Sequence, residues 1–342
     1  MRSWLQSPWL RWAVAVLAAP VIFGAFVLFK GVNPVTAYDE MVRSVVDPAQ
    51  AQTVVVRAAI LLLAGLAVAV PARAGLLNVG GEGQIVMGTV GAAGIGLLFD
   101  QSLGGPLVLA LMIPAAMLAG ALWAGLAALL RLTVKVNEAI STLLLNFIAI
   151  DLMLGLIYSP WKDRSGFGQP SSRPLEPTAR LPLLGDTSLN VGLVVALLAL
   201  GVMWWAMNRT AWGFRLRVVG GNPEAARRAG MRVGVLLLSA MLVGGALAGL
   251  AGLLHFAGTE FKLRQGMTTN FGYIGFLVSW LAGHKPLRVA VSAVLLAAIA
   301  IAGDSLQIDS HLPAASVNVL MAVVLLVVLG SRLRIARKEA VS

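Results

Sequence analysis

Three polar segments interrupt the apolar runs of this chain and hold the residues that could bind a solute. The first, residues 75–84 (GLLNVGGEGQ), places Asn78, Glu82 and Gln84 within seven residues and among four glycines. Polar groups inside a bilayer usually face a bundle interior or a cavity, and a glycine-broken helix frees backbone groups that can bind a polar solute. The alternative is a plain turn between two membrane spans, with the glycines as helix stops.

The second polar segment covers residues 136–151 (VNEAISTLLLNFIAID). On a helix with about 100° per residue, Glu138, Thr142 and Asn146 fall within about 80° of one another, whereas Asp151 points to a different face. This stripe predicts residues beside a solute path. Two alternatives stay open: hydrogen bonds between packed spans, and a cap formed by Asn137 and Glu138 where the span begins.

The third polar segment is residues 268–288 (TTNFGYIGFLVSWLAGHKPLR). Asn270 and Phe271 precede a short apolar run that contains Trp280. The indole of Trp280 could stack on a base or a sugar face. Packing, or a position at the membrane interface, explains an aromatic residue there at least as well.

The sequence lacks the constellations that enzymes need. It has no cysteine, its three histidines are scattered, and the phosphate-binding pattern G-x-x-x-x-G-K-[ST] is absent. No nucleophile with a neighbouring base is evident, so we predict no catalytic residue, no metal site and no cofactor in this chain. If the chain moves a solute uphill on ATP, a partner subunit must bind ATP and Mg²⁺ and hydrolyse the nucleotide.

The composition requires a membrane protein. Of 342 residues, 58% are hydrophobic and 12% are charged, whereas a soluble domain is far less apolar. A membrane-spanning helix needs roughly 20 apolar residues. The third and eighth candidate spans are shorter, and we expect half-helices or segments shielded by protein there. The sequence predicts one all-α polytopic membrane domain over residues 1–342 with about ten transmembrane segments: 10–29, 53–71, 84–99, 107–130, 138–158, 189–208, 233–256, 271–282, 287–303 and 314–331.

The positive charges predict the orientation of these spans. Lys and Arg crowd cytoplasmic loops, and an inside N-terminus with alternating spans places 17 of the 26 cations inside. This accounts for the net charge of +11 better than nucleic-acid binding does. We therefore predict cytoplasmic termini, an extracytoplasmic loop over residues 159–190 and a cytoplasmic loop over residues 209–232.

The cytoplasmic loop contains a predicted helix at residues 222–230. It has two interpretations: an amphipathic connector that lies on membrane lipid, or a rigid handle through which a soluble motor pushes. Its residues fit the successive positions of a helix of about seven residues: Asn222 as N-cap, Pro223 at the first position, Glu224 in the first turn, Ala225 and Ala226 as helix formers, Arg227 and Arg228 in the last turn, and Gly230 at the stop.

Together these segments resemble the permease subunits of bacterial ABC importers for simple sugars and nucleosides. Leu77 to Gln84 is similar to the family motif F-N-I-G-x-E-G-Q, Asn137 to Asn146 to N-E-x-I-S-T-L-x-L-N, and Gly220 to Met231 to G-x-N-x-x-A-A-x-x-A-G-I. The segment FGYIGFLVSWLA from Phe271 is similar to a fourth motif, although Trp280 is bulkier than the usual residue there. The motifs occur in the family's order over about residues 55–335.

The resemblance implies a type II-like ABC importer permease that translocates a nucleoside or simple sugar across the bacterial inner membrane. It implies an ABC ATPase subunit, a second permease in a heterodimer, and an extracytoplasmic solute-binding protein. It also implies that 222–230 is the coupling helix and that the regions of Asn78–Gln84 and Asn137–Asn146 lie near the translocation path. The alternative function, an ion-coupled secondary transporter, fits less well because Glu82 and Glu138 lie near the inside ends of spans.

Overall fold

The computed structural model describes residues 8–165, 168–267, 270–310, 312–313 and 315–326. Apart from isolated bridges between loop residues, the regular structure of these residues is helical. The helices are α1 (Pro8–Phe29), α2 (Pro34–Val46), α3 (Pro48–Arg73), α4 (Gly81–Phe99), α5 (Gly105–Thr133), α6 (Glu138–Tyr158), α7 (Gly192–Arg209), α8 (Ala211–Gly221), α9 (Pro223–Arg228), α10 (Val233–His255, continued by a π-helical turn at Phe256–Glu260), α11 (Phe271–Ala282), α12 (Pro286–Asp309) and α13 (Ala315–Leu326).

Seven of the described helices are long and apolar enough to span a membrane, so the predicted count of about ten is not confirmed. They are α3, α4, α5, α6, α7, α10 with its π turn, and most of α12. Near the first predicted span, Ala18–Phe29 and α2 are bent by 117° and together form a broken span or a re-entrant loop. The eighth and tenth predicted spans contain the shorter apolar helices α11 and α13, and residues 327–331 lie outside the described part.

The third predicted span differs from the expectation. We predicted a short segment from residue 84, but α4 has 19 residues and begins at Gly81. Its first glycines are helical, although glycine is a poor helix former. The reason is packing, because the backbones of other helices approach α4 where a side chain would block them. The alternative expectation, shielding by protein, fits α4 better, since its first turns are almost entirely buried.

Glycines also set the packing of α10 against its two main neighbours. A methyl group at Gly249 would overlap the carbonyl oxygen of Ala116 on α5, and one at Gly88 on α4 would overlap Gly249 itself. Small residues let transmembrane helices approach closely enough for dispersion and weak hydrogen bonds to hold them, in the absence of a hydrophobic driving force. The three helices α4, α5 and α10 therefore form the centre of the larger compact unit, which comprises Val55–Val294.

The loop predicted to be extracytoplasmic is anchored to the C-terminal end of α4. The Arg173 guanidinium donates to Asp100 Oδ1 and Oδ2 at 2.6 and 2.9 Å and to the Leu97 carbonyl at 2.6 Å. Burial alone would raise the pKa of the Asp100 carboxyl, but the hydrogen bonds from Arg173 and from the Glu176 N–H lower it. The anchor therefore stays ionised at neutral pH, and its contribution to stability is lost only as the pH falls through this lowered pKa.

The smaller compact unit comprises the residues up to Val54 and those from Leu295 onward. Its core contains Phe23, Val27, Leu306 and Leu320. The Tyr38 hydroxyl donates to the Pro20 carbonyl and thereby joins α2 to α1. Each of the two units has its own internal contacts, and the single membrane domain over residues 1–342 stays a prediction.

We predict that Gly249→Ala destabilises the protein and that Gly201→Ala does not. The methyl group at position 249 overlaps backbone that no rotamer change can move, which we expect to cost about 1–3 kcal/mol. Gly201 on α7 has open space around its Cβ position, so alanine there improves helix propensity. The measurement is the thermal melting temperature of each detergent-solubilised variant. Equal melting temperatures would contradict the proposed packing.

Candidate functional site

The candidate site lies where the chain leaves α3 and begins α4. Gly75 has φ +77 and ends α3, because its left-handed conformation lets the Leu76 N–H reach back to the Pro71 carbonyl at 3.1 Å. Residues 75–80 are not helical. Their backbone groups therefore need other partners. Six buried side chains, one of them from the segment itself, lie at this break, and we call them the polar junction: Asn78, Glu82, Gln84, Glu138, Thr142 and Asn146.

The side-chain amides of Asn78 and Gln84 form a reciprocal pair at the centre of the polar junction. Asn78 Nδ2 donates to Gln84 Oε1 at 3.0 Å, and Gln84 Nε2 donates to Asn78 Oδ1 at 2.8 Å. Asn78 also accepts from the Gly80 N–H at 3.1 Å and donates to the Ala67 carbonyl at 3.3 Å. The pair thus fastens the connecting segment to both the helix before it and the helix after it.

The polar stripe of α6 supplies the partners of the connecting segment, one turn after another. Glu138 Oε1 accepts from the Leu77 N–H at 3.1 Å, and its other oxygen forms an ion pair with Arg131. Thr142 Oγ1 accepts from the Val79 N–H at 3.2 Å. The stripe inferred from helical periodicity therefore faces the break between α3 and α4.

The side-chain amide of Asn146 bonds to the connecting segment through its nitrogen and to the first turn of α4 through its oxygen. Its Oδ1 accepts from the Gly83 N–H at 2.8 Å, and its Nδ2 donates to the Val79 carbonyl at 3.0 Å and to Tyr273 Oη at 3.3 Å. An asparagine amide has two donor hydrogens, so both are occupied. Asn146 thereby links α6, the start of α4 and α11.

Glu82 connects α4 to the N-terminus of α11. Its Oε2 accepts from the Gly272 N–H at 2.7 Å, which satisfies one of the donors that the first turn of a helix leaves free. A carboxylate is also favoured there by the helix dipole. The two helix starts are close, since a methyl group at Gly81 would lie 3.3 Å from Gly272 Cα.

The remaining predicted residues of α11 separate into two groups. Asn270, with φ +58, and Phe271 lie at the start of the helix, and the Phe271 ring meets the edge of His255 with centroids 4.9 Å apart. Trp280 lies nine residues further on, about 13 Å along the helix axis, and packs on Phe276 and His284. The structure therefore does not bring Trp280 to the polar junction.

All six side chains of the polar junction are at most 5% exposed, and their hydrogen bonds go to the protein itself. In this geometry the polar residues of 75–84 hold the end of α3 and the start of α4 together, so the segment is more than a plain turn. It gives no direct opening to a solute. In the described part of the chain, no group of three or more His, Asp or Glu residues could hold a metal ion.

Helix α9 has the caps that the sequence predicts. Asn222 Oδ1 accepts from the Ala225 N–H at 2.9 Å, Pro223 is the first helical residue, and Gly230 with φ +77 follows the end. Ala226 is buried, whereas Glu224, Arg227 and Arg228 are exposed and form ion pairs at 2.8 and 3.5 Å. The helix thus presents a rigid polar surface that is fixed on its inner side.

Sequence reasoning missed several partners in the polar junction. Glu82 and Gly272 are 190 residues apart, and no local pattern pairs them. Arg131 could have been found as the cation in the last turn of α5, seven residues before Glu138. Asp151 was placed on another face of α6, and the structure exposes it there beside Phe147, Ile148 and Leu152.

A second feature of the larger unit is an open cavity of about 620 Å³ between loop residues 163–180 and residues 260–265. Residues of the 159–190 loop and of the segment after the π turn line it, and its charged groups are of both signs: Asp163, Arg180, Glu260, Lys262 and Arg264. Arg264 donates two hydrogen bonds to the Glu260 carboxylate, and these raise the pKa of Arg264, so this guanidinium is charged at any physiological pH.

Comparison with known proteins gives consistent matches. The protein family described as "Branched-chain amino acid transport system / permease component" matches residues 50–329. The glucose ABC transporter permease protein TsgB13 of Haloferax volcanii is 35% identical over 93% of this chain and 86% of its own length. The guanosine ABC transporter permease proteins NupP and NupQ of Bacillus subtilis are 36% and 25% identical over 79% and 83% of this chain, and over 78% and 91% of their own lengths.

We predict that Asn146→Ala lowers the thermal stability of the protein, whereas Leu144→Ala on the exposed face of α6 changes it little. The alanine leaves the Gly83 N–H and the Val79 carbonyl buried without partners, at about 1–3 kcal/mol each. The melting temperature in detergent measures the effect. A stable Asn146→Ala variant that transports poorly would instead favour direct contact between Asn146 and the solute.

Proposed function

Because this chain belongs to the family of branched-chain amino acid transport system permease components, we propose that it translocates a nucleoside or a simple sugar. It is a permease subunit of an ABC importer, and ATP hydrolysis is expected on a partner subunit. The names of TsgB13 and NupP, for glucose and guanosine, support the proposed solute classes. An ion-coupled transporter is disfavoured, because Glu82 and Glu138 hold backbone groups and are not open to an ion pathway.

The observation that carries the proposal is helix α9. A handle for an ATPase must be rigid, exposed and fixed to the membrane helices at its base. The caps at Asn222 and Gly230 give rigidity, and the ion pairs of Glu224 keep a defined charge pattern on the exposed side. We infer that α9 is the coupling helix and that Asn222, Pro223, Glu224, Ala225, Ala226, Arg227, Arg228 and Gly230 form or support the surface that the ATPase contacts.

We propose that a second permease subunit lies against the exposed face of α6. The paired guanosine permease proteins NupP and NupQ support a heterodimer. Asp151 supports it physically: α6 is about 30 Å long, as thick as the apolar part of a bilayer, and the exposed Asp151 lies about 10 Å from its C-terminal end. A carboxylate at that depth is disfavoured against lipid. We infer that this face lines an aqueous path between two permeases.

We also propose an extracytoplasmic solute-binding protein as a partner and the bacterial cytoplasmic membrane as the location, with both termini inside. The loop cavity is lined by charges of both signs, which suits a surface on which the solute-binding protein docks and from which it is released. We propose that eight residues fix the broken helices that line the path without contacting the solute themselves: Asn78, Glu82, Gln84, Glu138, Thr142, Asn146, Asn270 and Phe271. Trp280 is proposed to pack at the far end of α11.

We predict that Glu224→Lys abolishes uptake by the complete importer and leaves solute binding by the separate binding protein unchanged. The substitution reverses the charge on the surface of α9 and removes both ion pairs with Arg227 and Arg228. The measurement is uptake of guanosine, adenosine, glucose and ribose into proteoliposomes, together with the ATP hydrolysis that each solute stimulates.

The matched control for this charge reversal is Asp39→Lys. Asp39 is also exposed and pairs with an arginine one turn away, Arg43, at 2.8 Å, but it lies on α2. We expect Asp39→Lys to keep uptake within about twofold, because an exposed ion pair contributes at most about 1 kcal/mol. Normal uptake by Glu224→Lys would refute the assignment of α9, and a wild-type importer in which no solute stimulates hydrolysis would refute the proposed solute classes.

We predict that Asp151→Leu lowers uptake at least about tenfold without lowering the melting temperature. If Asp151 instead faced lipid, leucine would remove a charge that costs about 2.5–3.5 kcal/mol in a bilayer, so stability would rise and uptake would stay normal. Asp151→Asn keeps the size and some hydrogen bonding, and we expect it to raise the KM more than it lowers the maximal rate. Uptake and melting temperature together separate the two placements.

A further inference from the structure

Gly75 and Gly220 form a contact between backbones that joins the base of α9 to the polar junction. A methyl group on Gly75 would lie 3.3 Å from Gly220 Cα and 3.4 Å from the Gly220 carbonyl oxygen. In the reverse direction, a methyl group on Gly220 would overlap the Arg73 carbonyl oxygen and lie 3.1 Å from the Ala74 carbonyl carbon. The last turn of α8 therefore rests directly on the end of α3.

Each of the two glycines is needed for a different reason. Gly75 has φ +77, a conformation that other residues rarely adopt. Gly220 is needed because no space remains for a side chain toward Arg73. Its neighbour Gly221 has open space around the Cβ position, so the restriction is specific to position 220.

On one side, the contact leads to α9. Asn222 alone separates α8 from α9, and its N–H bonds to the Val218 carbonyl at 3.0 Å. Arg73 adds a second tie between α3 and the helices that precede α9, since its guanidinium donates to Asn208 Oδ1 at 2.9 Å. A displacement of α9 must therefore displace the end of α8 against the end of α3.

On the other side, the contact leads to the polar junction. Only two residues separate Gly75 from Asn78, and Leu77 and Val79 donate to the α6 stripe. No flexible side chain lies between the two backbones to absorb a small movement. Packed elements of this kind move between discrete arrangements and do not deform gradually.

We propose that the Gly75–Gly220 contact positions the polar junction in response to α9, so that ATP hydrolysis on the partner subunit moves the starts of α4 and α11. This inference rests on the proposed ATP-driven function. Gly75 and Gly220 are positioning residues, since they act through Asn78, Glu82 and their partners and touch no solute.

The test compares Gly220→Ala with Gly221→Ala in the complete importer, reconstituted with its ATPase, second permease and binding protein. Uptake of guanosine and of glucose is measured in the same vesicles as ATP hydrolysis. We expect Gly220→Ala to lower the solute taken up per ATP hydrolysed at least about tenfold while hydrolysis continues. Gly221→Ala should stay within about twofold of the wild type.

A second pair of variants covers the case in which Gly220→Ala does not accumulate in the membrane. Gly75→Ala places a methyl group against Gly220 without an overlap of backbone, and Gly31→Ala is its control, because Gly31 has φ +83 and open space around it. Gly75→Ala should lower uptake per ATP well below Gly31→Ala. Faster hydrogen exchange at the Leu77, Val79 and Gly83 amides should accompany the loss.

Equal uptake per ATP in Gly220→Ala and Gly221→Ala, or in Gly75→Ala and Gly31→Ala, would overturn the proposal. So would a parallel loss of uptake and hydrolysis in Gly220→Ala, since that result would place the glycine in ATPase docking. Failure of the proposed function is distinguishable, because it would show as a wild-type importer in which neither guanosine nor glucose stimulates hydrolysis or enters the vesicles.

Discussion

The backbone between α3 and α4 is the constraint on which the rest of the larger unit depends. A chain that leaves the helical conformation inside a packed helix bundle exposes N–H and C=O groups, and each one buried there without a partner costs about 1–3 kcal/mol. Glu138 and Thr142 on α6 accept from Leu77 and Val79, and Asn146 satisfies both Gly83 and Val79. The polar stripe of α6 has one polar residue per helical turn, and each of these residues binds a backbone group of the irregular segment or of the first turn of α4.

The same constraint fixes α11 relative to α4. Glu82 is buried, and a buried carboxylate that loses its partner is strongly destabilising, so the start of α11 cannot separate from the start of α4 without another donor for this group. Gly81 and Gly272 remove the side chains that would otherwise keep the two helix starts apart. As a result, α4, α6 and α11 share one set of hydrogen bonds, and a movement of any one of these helices must displace or break hydrogen bonds of the other two.

The parts of this structure that follow local rules could be predicted from the sequence. Apolar runs with clear ends give α6 at Glu138–Tyr158 and α11 at Phe271–Ala282, and the capping residues give α9. The start of α4 was misplaced because glycine reads as a helix breaker when its neighbours in space are unknown. The pairing of Glu82 with Gly272 and the contact of Gly75 with Gly220 join distant parts of the chain, and only the fold brings them together.

A fully paired junction also limits where the solute can be recognised. Both donor hydrogens and the oxygen of the Asn146 amide are occupied, and the amides of Asn78 and Gln84 bind each other. A solute could reach these groups only by displacing a partner, and each buried group left unpaired costs about 1–3 kcal/mol. This supports our proposals that recognition falls to polar groups that the single chain leaves open, such as Asp151 on α6, and that the polar junction determines how the helices that carry them move.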